Sequence, residues 1–478
     1  MTERPVLAVI GAGPAGLAAA LAAAARRVHV VLVDSAAEPG GQFYRQPARR
    51  LGARRPQALH HQWRTWERLS EGLVAHLAAG RVTHLSDHHV WCVERESDGR
   101  KTTGFTVHAL LGPEQERSVA VRADGVLLAT GAYEKVLPFP GGTLPGVVTA
   151  GGAQAMLKGG LALPGRTAVV AGTGPLLLPV ATGLAAAGAR VTALVESADP
   201  RDVARRARGL AAQPAKLTEA AGYAVRLARH RIPVMARHTV LEAHGRDRLE
   251  SVAVAALDTE GRAVPGTERR LTCDTLAVGH GLLPHTDLAE GLGCRLDGPA
   301  VQVDEEQRTD VPGVWAAGET TGIGGAGLSL AEGHIAGRSA AAHLYGTAPD
   351  PGEWAAAARS RTRLRAFFAE LDGAYAAPVR WTERLTDATV VCRCEEVTAG
   401  AVREAVGALG AGDLRTVKLL TRAGMGWCQG RMCEPGVAGI ADCELTPGRR
   451  LLARPVPLGV LAAPPEPRRR PGEPTSPR

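Results

Sequence analysis

The chain has 478 residues, 45% of them hydrophobic, which predicts roughly three globular domains of ordinary size with ample material for a buried core. Its formal charge of +8 comes largely from arginines scattered among Ala, Gly and Pro, with runs only at places such as 468–470, and aromatic residues make up 4%. A phosphate-binding stripe needs clustered cations and base stacking needs interleaved aromatics, so nucleic acid is not expected as a partner.

Residues 6–25 carry no charge. Glycines punctuate them, and neither a basic leader nor a cleavage site accompanies them, so neither a signal peptide nor a transmembrane segment is expected. Eight cysteines in 478 residues then read as reduced thiols and metal ligands in the cytoplasm, not as a disulfide framework. The uncharged stretch reads as strand 6–10, a GAGPAG turn and helix 14–26, followed by strand 29–34. This is the βαβ setting in which GxGxxG is informative. Gly11 permits the turn, Gly13 lets the backbone approach a pyrophosphate, and Gly16 lets the helix pack on the strand. The helix N-terminus at Pro14 and Ala15 offers its amides to phosphate, and Asp34 is placed to hold the adenosine ribose.

Farther along, PGGQFYRQ (39–46, with Gly41 and Gln42) and VLLATGAYE (126–134, with Ala129, Thr130 and Gly131) resemble flavoprotein signatures. The stretch VPGVWAAGETTGIGGAGLSLAEGHIAGRSAA (311–341) resembles the second FAD motif of the two-dinucleotide-binding-domain flavoproteins. That resemblance implies FAD, with Gly318 and Glu319 at the ribityl chain and a helix N-terminus near Gly325 aimed at the flavin pyrimidine. A helix N-terminus stabilises the negative charge of a reduced flavin. The family usually carries Asp at the position of Glu319, so one extra methylene must be absorbed.

A second βαβ unit is expected from strand 167–171, GTGPLLLPVATGLAAAG (172–188) and strand 191–196. Gly172 and Gly174 hold the first two glycine positions, but Leu177 stands where a third small residue allows close helix packing. Glu196 is the candidate ribose ligand. Glu196-Ser197-Ala198-Asp199 provides no arginine cluster for a 2′-phosphate. The site is open to NAD(H), to a structurally held adenine nucleotide such as ATP or ADP, or to nothing. No close cysteine pair precedes residue 392, which argues against disulfide-reductase chemistry. Cys92, Cys273 and Cys294 read as small buried hydrophobes, and His60, His61, His280, His285 and His334 as packing or surface residues. No nucleophile, His or Tyr pair, or carboxylate dyad stands beside a flavin motif, so the catalytic residues are unassigned.

Cys392 and Cys394 in VVCRCEEV, then Cys428 and Cys433 in GWCQGRMC, form CxC, 33 intervening residues, and Cx4C. With a helical stretch over 398–409, this resembles the bacterioferritin-associated-ferredoxin type of [2Fe-2S] domain. Zinc and an empty site remain alternatives, although structural zinc favours CxxC knuckles. Amides near Gly424, Gly426 and Gly430, with Arg393, Lys418, Arg422 and Arg431, are expected to moderate the thiolate charge. Cys443 is surplus.

The expected fold class is α/β: two Rossmann-like dinucleotide-binding domains of glutathione- or thioredoxin-reductase type plus a small, mainly helical [2Fe-2S] domain. The FAD domain is expected over 1–145 and 272–345, the second nucleotide domain over 146–271, a helical linker over 346–385, the cluster domain over 386–445 and a disordered tail over 463–478. The order of these parts resembles the large alpha subunits of opine oxidases, hydrogen cyanide synthase and dye-linked proline or D-hydroxyproline dehydrogenases. The segments LPFPGGTLPGVVTAGGAQAMLKGG (137–160), AGTGPLLLPVA (171–181) and RPVPLGVLA (454–462) carry that resemblance.

It implies an electron-relay subunit. An amine-oxidising FAD subunit similar to D-amino-acid oxidase supplies the electrons, and a small ferredoxin-like subunit often accompanies the pair. Electrons leave to a quinone, ferredoxin or dye, the acceptor offering any peripheral membrane contact. The alternatives are a stand-alone NAD(P)H-dependent FAD reductase and a non-catalytic iron-sulfur redox or iron-delivery protein.

Overall fold

The computed structural model describes residues 4–98, 101–445, 450 and 452–463. All but the first residue of the expected disordered tail lies outside them. Among the described residues no helix is long and apolar enough to cross a membrane. Two compact units form: one from residues up to 133, 283–365 and the C-terminal segment after 446, the other from 134–282 and 366–446.

The first unit is built on a five-stranded sheet in the order Val314–Ala316, Gly125–Leu128, Val6–Ile10, His29–Val33 and Val82–Leu85, parallel throughout. Its strands are near-continuous apolar runs because both faces are covered. One face packs on the helices Pro14–Ala24, Trp63–Ala78 and Gly325–Leu344. The other packs on an antiparallel sheet of His88–Asp98, Lys101–Leu111 and Arg117–Ala123. The helix Pro14–Ala24 is apolar almost all round, and nine of its 11 residues are buried. Gly333 and Gly337 let the helix Gly325–Leu344 cross it closely, for a Cβ at either would strike the carbonyl of Ala15 or Ala19.

The second unit repeats the plan with the strands Val234–Ala236, Arg190–Glu196, Thr167–Gly172, Thr275–Gly279 and Val147–Thr149 in that order. An antiparallel sheet of His238–His244, Ser251–Ala256 and Arg269–Thr272 covers one face. This unit also holds the cysteine-bearing segment. There a hairpin of Val390–Cys392 and Val397–Thr398 packs with the helices Ala399–Gly407, Leu414–Thr421 and Glu434–Ala441 around a small apolar core. The Thr398 hydroxyl and Asp413 carboxylate cap the first two of these helices, a role suited to both residue types.

Candidate functional site

At the first glycine turn, Gly11 has φ +104°, open to glycine at little cost, and any side chain there would strike the Ala129 carbonyl. A Cβ on Gly16 would strike the Gly11 carbonyl, so this residue is held by helix-on-strand packing. Gly13 caps the helix that begins at Pro14 and Ala15, with no side chain bonded across its amides. A Cβ on Gly13 would meet only the Gly41 Cα, at 3.8 Å. These two glycines therefore leave a backbone cradle before a helix N-terminus, the shape and polarity a pyrophosphate needs.

Asp34 is buried at the end of the adjacent strand. Its carboxylate accepts the Ala12 amide and, at 2.7 Å, the Ala36 amide. Burial pushes its carboxyl above the usual range, and those amides oppose the shift. Gln42 is engaged with Arg45, accepting its Nη2 at 2.7 Å. Ala129 continues the sheet, its amide bonded to the Ile10 carbonyl at 2.9 Å. The Thr130 hydroxyl donates to the His285 carbonyl at 2.6 Å, and the Gly131 carbonyl accepts the His285 amide at 2.9 Å. His285 is thus a backbone anchor for this signature.

The Gly318 turn lies against the same helix, a Cβ there falling 2.7 Å from the Ala15 Cβ. The Glu319 carboxylate takes the Gly325 amide as donor, and burial raises its carboxyl. Beneath the turn lies an ion pair that the sequence did not disclose. Glu332 is 0% exposed. Its Oε2 accepts the Gly318 amide and the Thr321 hydroxyl, each at 3.0 Å. Its Oε1 accepts Arg365 Nε at 2.9 Å and Nη2 at 2.6 Å. Arg365 Nη2 also reaches the Thr321 hydroxyl at 2.9 Å. Three elements are fixed by one buried carboxylate: the Gly318–Thr321 turn, the helix Gly325–Leu344 and the helix Ala355–Ala374.

In the second unit, Gly172 has φ +137° and touches Gly279 so closely that a Cβ would strike its carbonyl. The Glu196 carboxylate accepts the Gly174 amide at 3.0 Å and the Ala198 amide at 2.9 Å, while burial raises its carboxyl to about 7. Leu177 is buried at the start of the helix Leu177–Ala186. Tyr375 flanks the turn, its Cβ 3.9 Å from where a Gly174 Cβ would stand. Burial, then the neighbouring Glu196, push the Tyr375 hydroxyl up. Arg205, Arg206 and Arg208 line a cavity of about 580 Å³ in this unit. Arg205 is paired with Asp202 at 2.6 Å and Arg206 with Glu370 at 3.0 Å.

The four C-terminal cysteines come together: Cys392 neighbours Cys433, Cys433 neighbours Cys428, and Cys428 neighbours Cys394. Cys392 and Cys433 are buried, Cys428 is half-buried and Cys394 is exposed. A bond from Cys433, aided by the Met432 and Gly430 amides, draws the Cys428 thiol below its ordinary range against its burial. Gly426 lies against Cys394, a Cβ there falling 3.0 Å from its sulfur. Among the described residues no three His, Cys, Asp or Glu side chains converge on one ion-sized point. A chain of four adjacent thiols suits ligands divided between two irons. Arg422 pairs with Glu395 at 2.8 Å, Arg393 donates to the Gly142 carbonyl at 3.2 Å, and Arg431 donates to the Cys428 carbonyl at 3.1 Å. Of the three isolated cysteines expected to be buried, Cys92 is only half-buried. Cys273 and Cys294 are buried, with thiols pushed up to about 12 and about 11, mainly by burial.

A family model described as pyridine nucleotide-disulphide oxidoreductase matches residues 5–343. The chain belongs to the pyridine nucleotide-disulphide oxidoreductase family. A second model, described as BFD-like [2Fe-2S] binding domain, matches residues 390–442 of this oxidoreductase, taking in all four cysteines. Over 454 residues it is 35% identical to hydrogen cyanide synthase subunit HcnB of Pseudomonas aeruginosa, covering 91% of each chain. It is 32% identical to an opine oxidase subunit of Agrobacterium tumefaciens, over 92% of this chain and 86% of that one. L-proline dehydrogenase from P. horikoshii shares the fold at a TM-score of 0.65 and 20% identity, over 96% of this chain and 80% of that one. The chain is therefore a flavin-type oxidoreductase with FAD and a [2Fe-2S] cluster as its cofactors.

Proposed function

We propose that this oxidoreductase is the electron-transfer subunit of a multi-subunit amine or amino-acid dehydrogenase or oxidase, of opine, proline, hydroxyproline or glycine type. It takes electrons from an amine-oxidising FAD subunit, its partner, and delivers them to a quinone, ferredoxin or dye. A small ferredoxin-like subunit is a further partner. The observation that carries this reading is the full-length similarity to chains named as subunits of an opine oxidase and a hydrogen cyanide synthase, joined to a four-thiol site on the same chain. When bound, the flavin accepts electrons in pairs and passes them on singly, and the cluster carries one at a time.

The chain's own residues do the holding. Gly13, Gly41 and the helix N-terminus at Pro14 take the pyrophosphate, and Asp34 the ribose. Gly318 and Glu319 sit at the ribityl chain, while the N-terminus at Gly325 stabilises negative charge on the flavin ring. Cys392, Cys394, Cys428 and Cys433 hold the irons, and the Gly430 and Met432 amides stabilise thiolate sulfur. Eight unbridged cysteines suit the reducing cytoplasm.

The second nucleotide fold is not an entry port for NADH in this reading. Leu177 fills the third fingerprint position, Tyr375 flanks the phosphate turn, and Arg205 and Arg206, beyond the strand that ends at Glu196, are paired with carboxylates. The test is reconstitution: the cofactor-loaded chain is mixed anaerobically with a panel of amines and the amine-oxidising subunit. The expected result is reduction of this chain's cluster, read by electron paramagnetic resonance, only in the presence of both amine and subunit. Reduction by an amine without the partner subunit contradicts the proposal.

A further inference from the structure

Two partly buried cations that adjoin His280 in the second unit lack a carboxylate partner among the described residues. Arg384, in the short helix Trp381–Arg384, and Lys135 form no ion pair among the described residues. Both are half-buried, and burial draws both side chains below their ordinary pKa values, Arg384 to about 10. The carboxylates beside them in sequence are committed elsewhere. Glu134 accepts the Gly151 amide at 2.7 Å and the Gly152 amide at 3.2 Å. Glu383 is held by Arg380 at 2.7 Å and Arg262 at 3.5 Å. A guanidinium drawn partly out of water without a counter-charge, one of its nitrogens buried and unpartnered, is unfavourable, so this arrangement calls for an anion.

The place for one is visible. Arg384 lines a cavity of about 20 Å³ with Gly172, Val278, His280 and Trp381, and its Nη1 is buried with no hydrogen-bond partner. That volume holds one occupant of roughly water size. The cavity sits at the carboxyl ends of the parallel strands Thr167–Gly172 and Thr275–Gly279, the edge where ligands enter open α/β sheets. His280, expected from sequence to be a packing or surface residue, bonds through Nδ1 to the Thr173 hydroxyl at 3.1 Å. Burial, then Arg384 and Lys135, push it to about 3, so it stays neutral and adds no competing charge.

We propose that this cavity is a site for one small monatomic anion of chloride size, held by the Arg384 guanidinium with Lys135 adding to the field. A water molecule could satisfy Nη1 but would leave the charge uncompensated. The inference does not depend on the electron-relay reading.

The test uses the full cofactor-loaded chain at fixed ionic strength, with chloride exchanged for gluconate, an anion too large for the cavity. Ligand that binds only the folded state raises the melting temperature with the logarithm of its concentration above Kd. The expected result is such a rise for the native chain, with Arg384→Met losing the chloride dependence. Crystals soaked in bromide provide a second measurement that needs no variant, with an anomalous peak expected beside Arg384 Nη1. A chloride response equal in both proteins, or bromide missing from the cavity, overturns the proposal.

Discussion

Glu332→Ala is expected to strip FAD from the chain while leaving the cluster in place. The substitution removes a carboxylate that accepts from Gly318, Thr321 and Arg365, leaving a guanidinium 34% exposed without its partner. Breaking a buried ion pair from one side costs about 3–5 kcal/mol. If about 3 kcal/mol of that falls on ordering the Gly318 turn for flavin, affinity drops by roughly a hundredfold. Flavin retained after gel filtration, with iron content as control, measures the effect. The double variant Glu332→Leu with Arg365→Leu should recover much of the lost stability, because exchanging both partners of a buried pair for apolar groups is often neutral. It should recover less of the flavin affinity, since the Gly318 amide still lacks its acceptor. Native affinity in Glu332→Ala would mean that the pair braces the helices and does not set the turn.

Cys433→Ser is expected to abolish the cluster and spare the flavin. Cys433 is 4% exposed and adjoins both Cys392 and Cys428, so its loss breaks the thiol chain at its centre. Iron should fall from about two per chain to near zero, with the visible and paramagnetic signals of the cluster lost. Cys443→Ser is the control, since its sulfur faces the Gly412 and Ala441 carbonyls and is expected to hold no iron. Full iron content in Cys433→Ser would contradict the ligand assignment.

The parts of the fold that were legible are those whose cause is local. Strand, glycine turn, helix and strand follow one another within 34 residues, and the steric demand on Gly11 and Gly16 comes from backbone that any such turn brings together. The CxC and Cx4C spacing was legible for the same reason: each pair lies on a single hairpin or loop. The Glu332–Arg365 pair was not legible, because its members are 33 residues apart on two different helices. Glu332 is the one acidic residue in an Ala- and Gly-rich helix and reads as solvent-facing until the Gly318 turn is placed above it. A signal for the close helix crossing did exist, in the Gly333-x3-Gly337 spacing inside the second flavin motif. His280 and Arg384 belong together only through the tertiary approach of the segment after the helix Ala355–Ala374 to the ends of two strands, which no sequence spacing reports.

Anaerobic titration of the FAD- and cluster-loaded chain with NADH tests the electron-relay assignment most directly. The assignment predicts that the flavin keeps its oxidised visible spectrum with NADH alone and bleaches once an amine is added together with its amine-oxidising subunit. Rapid, stoichiometric bleaching by NADH alone would make the chain a self-sufficient reductase and contradict the assignment.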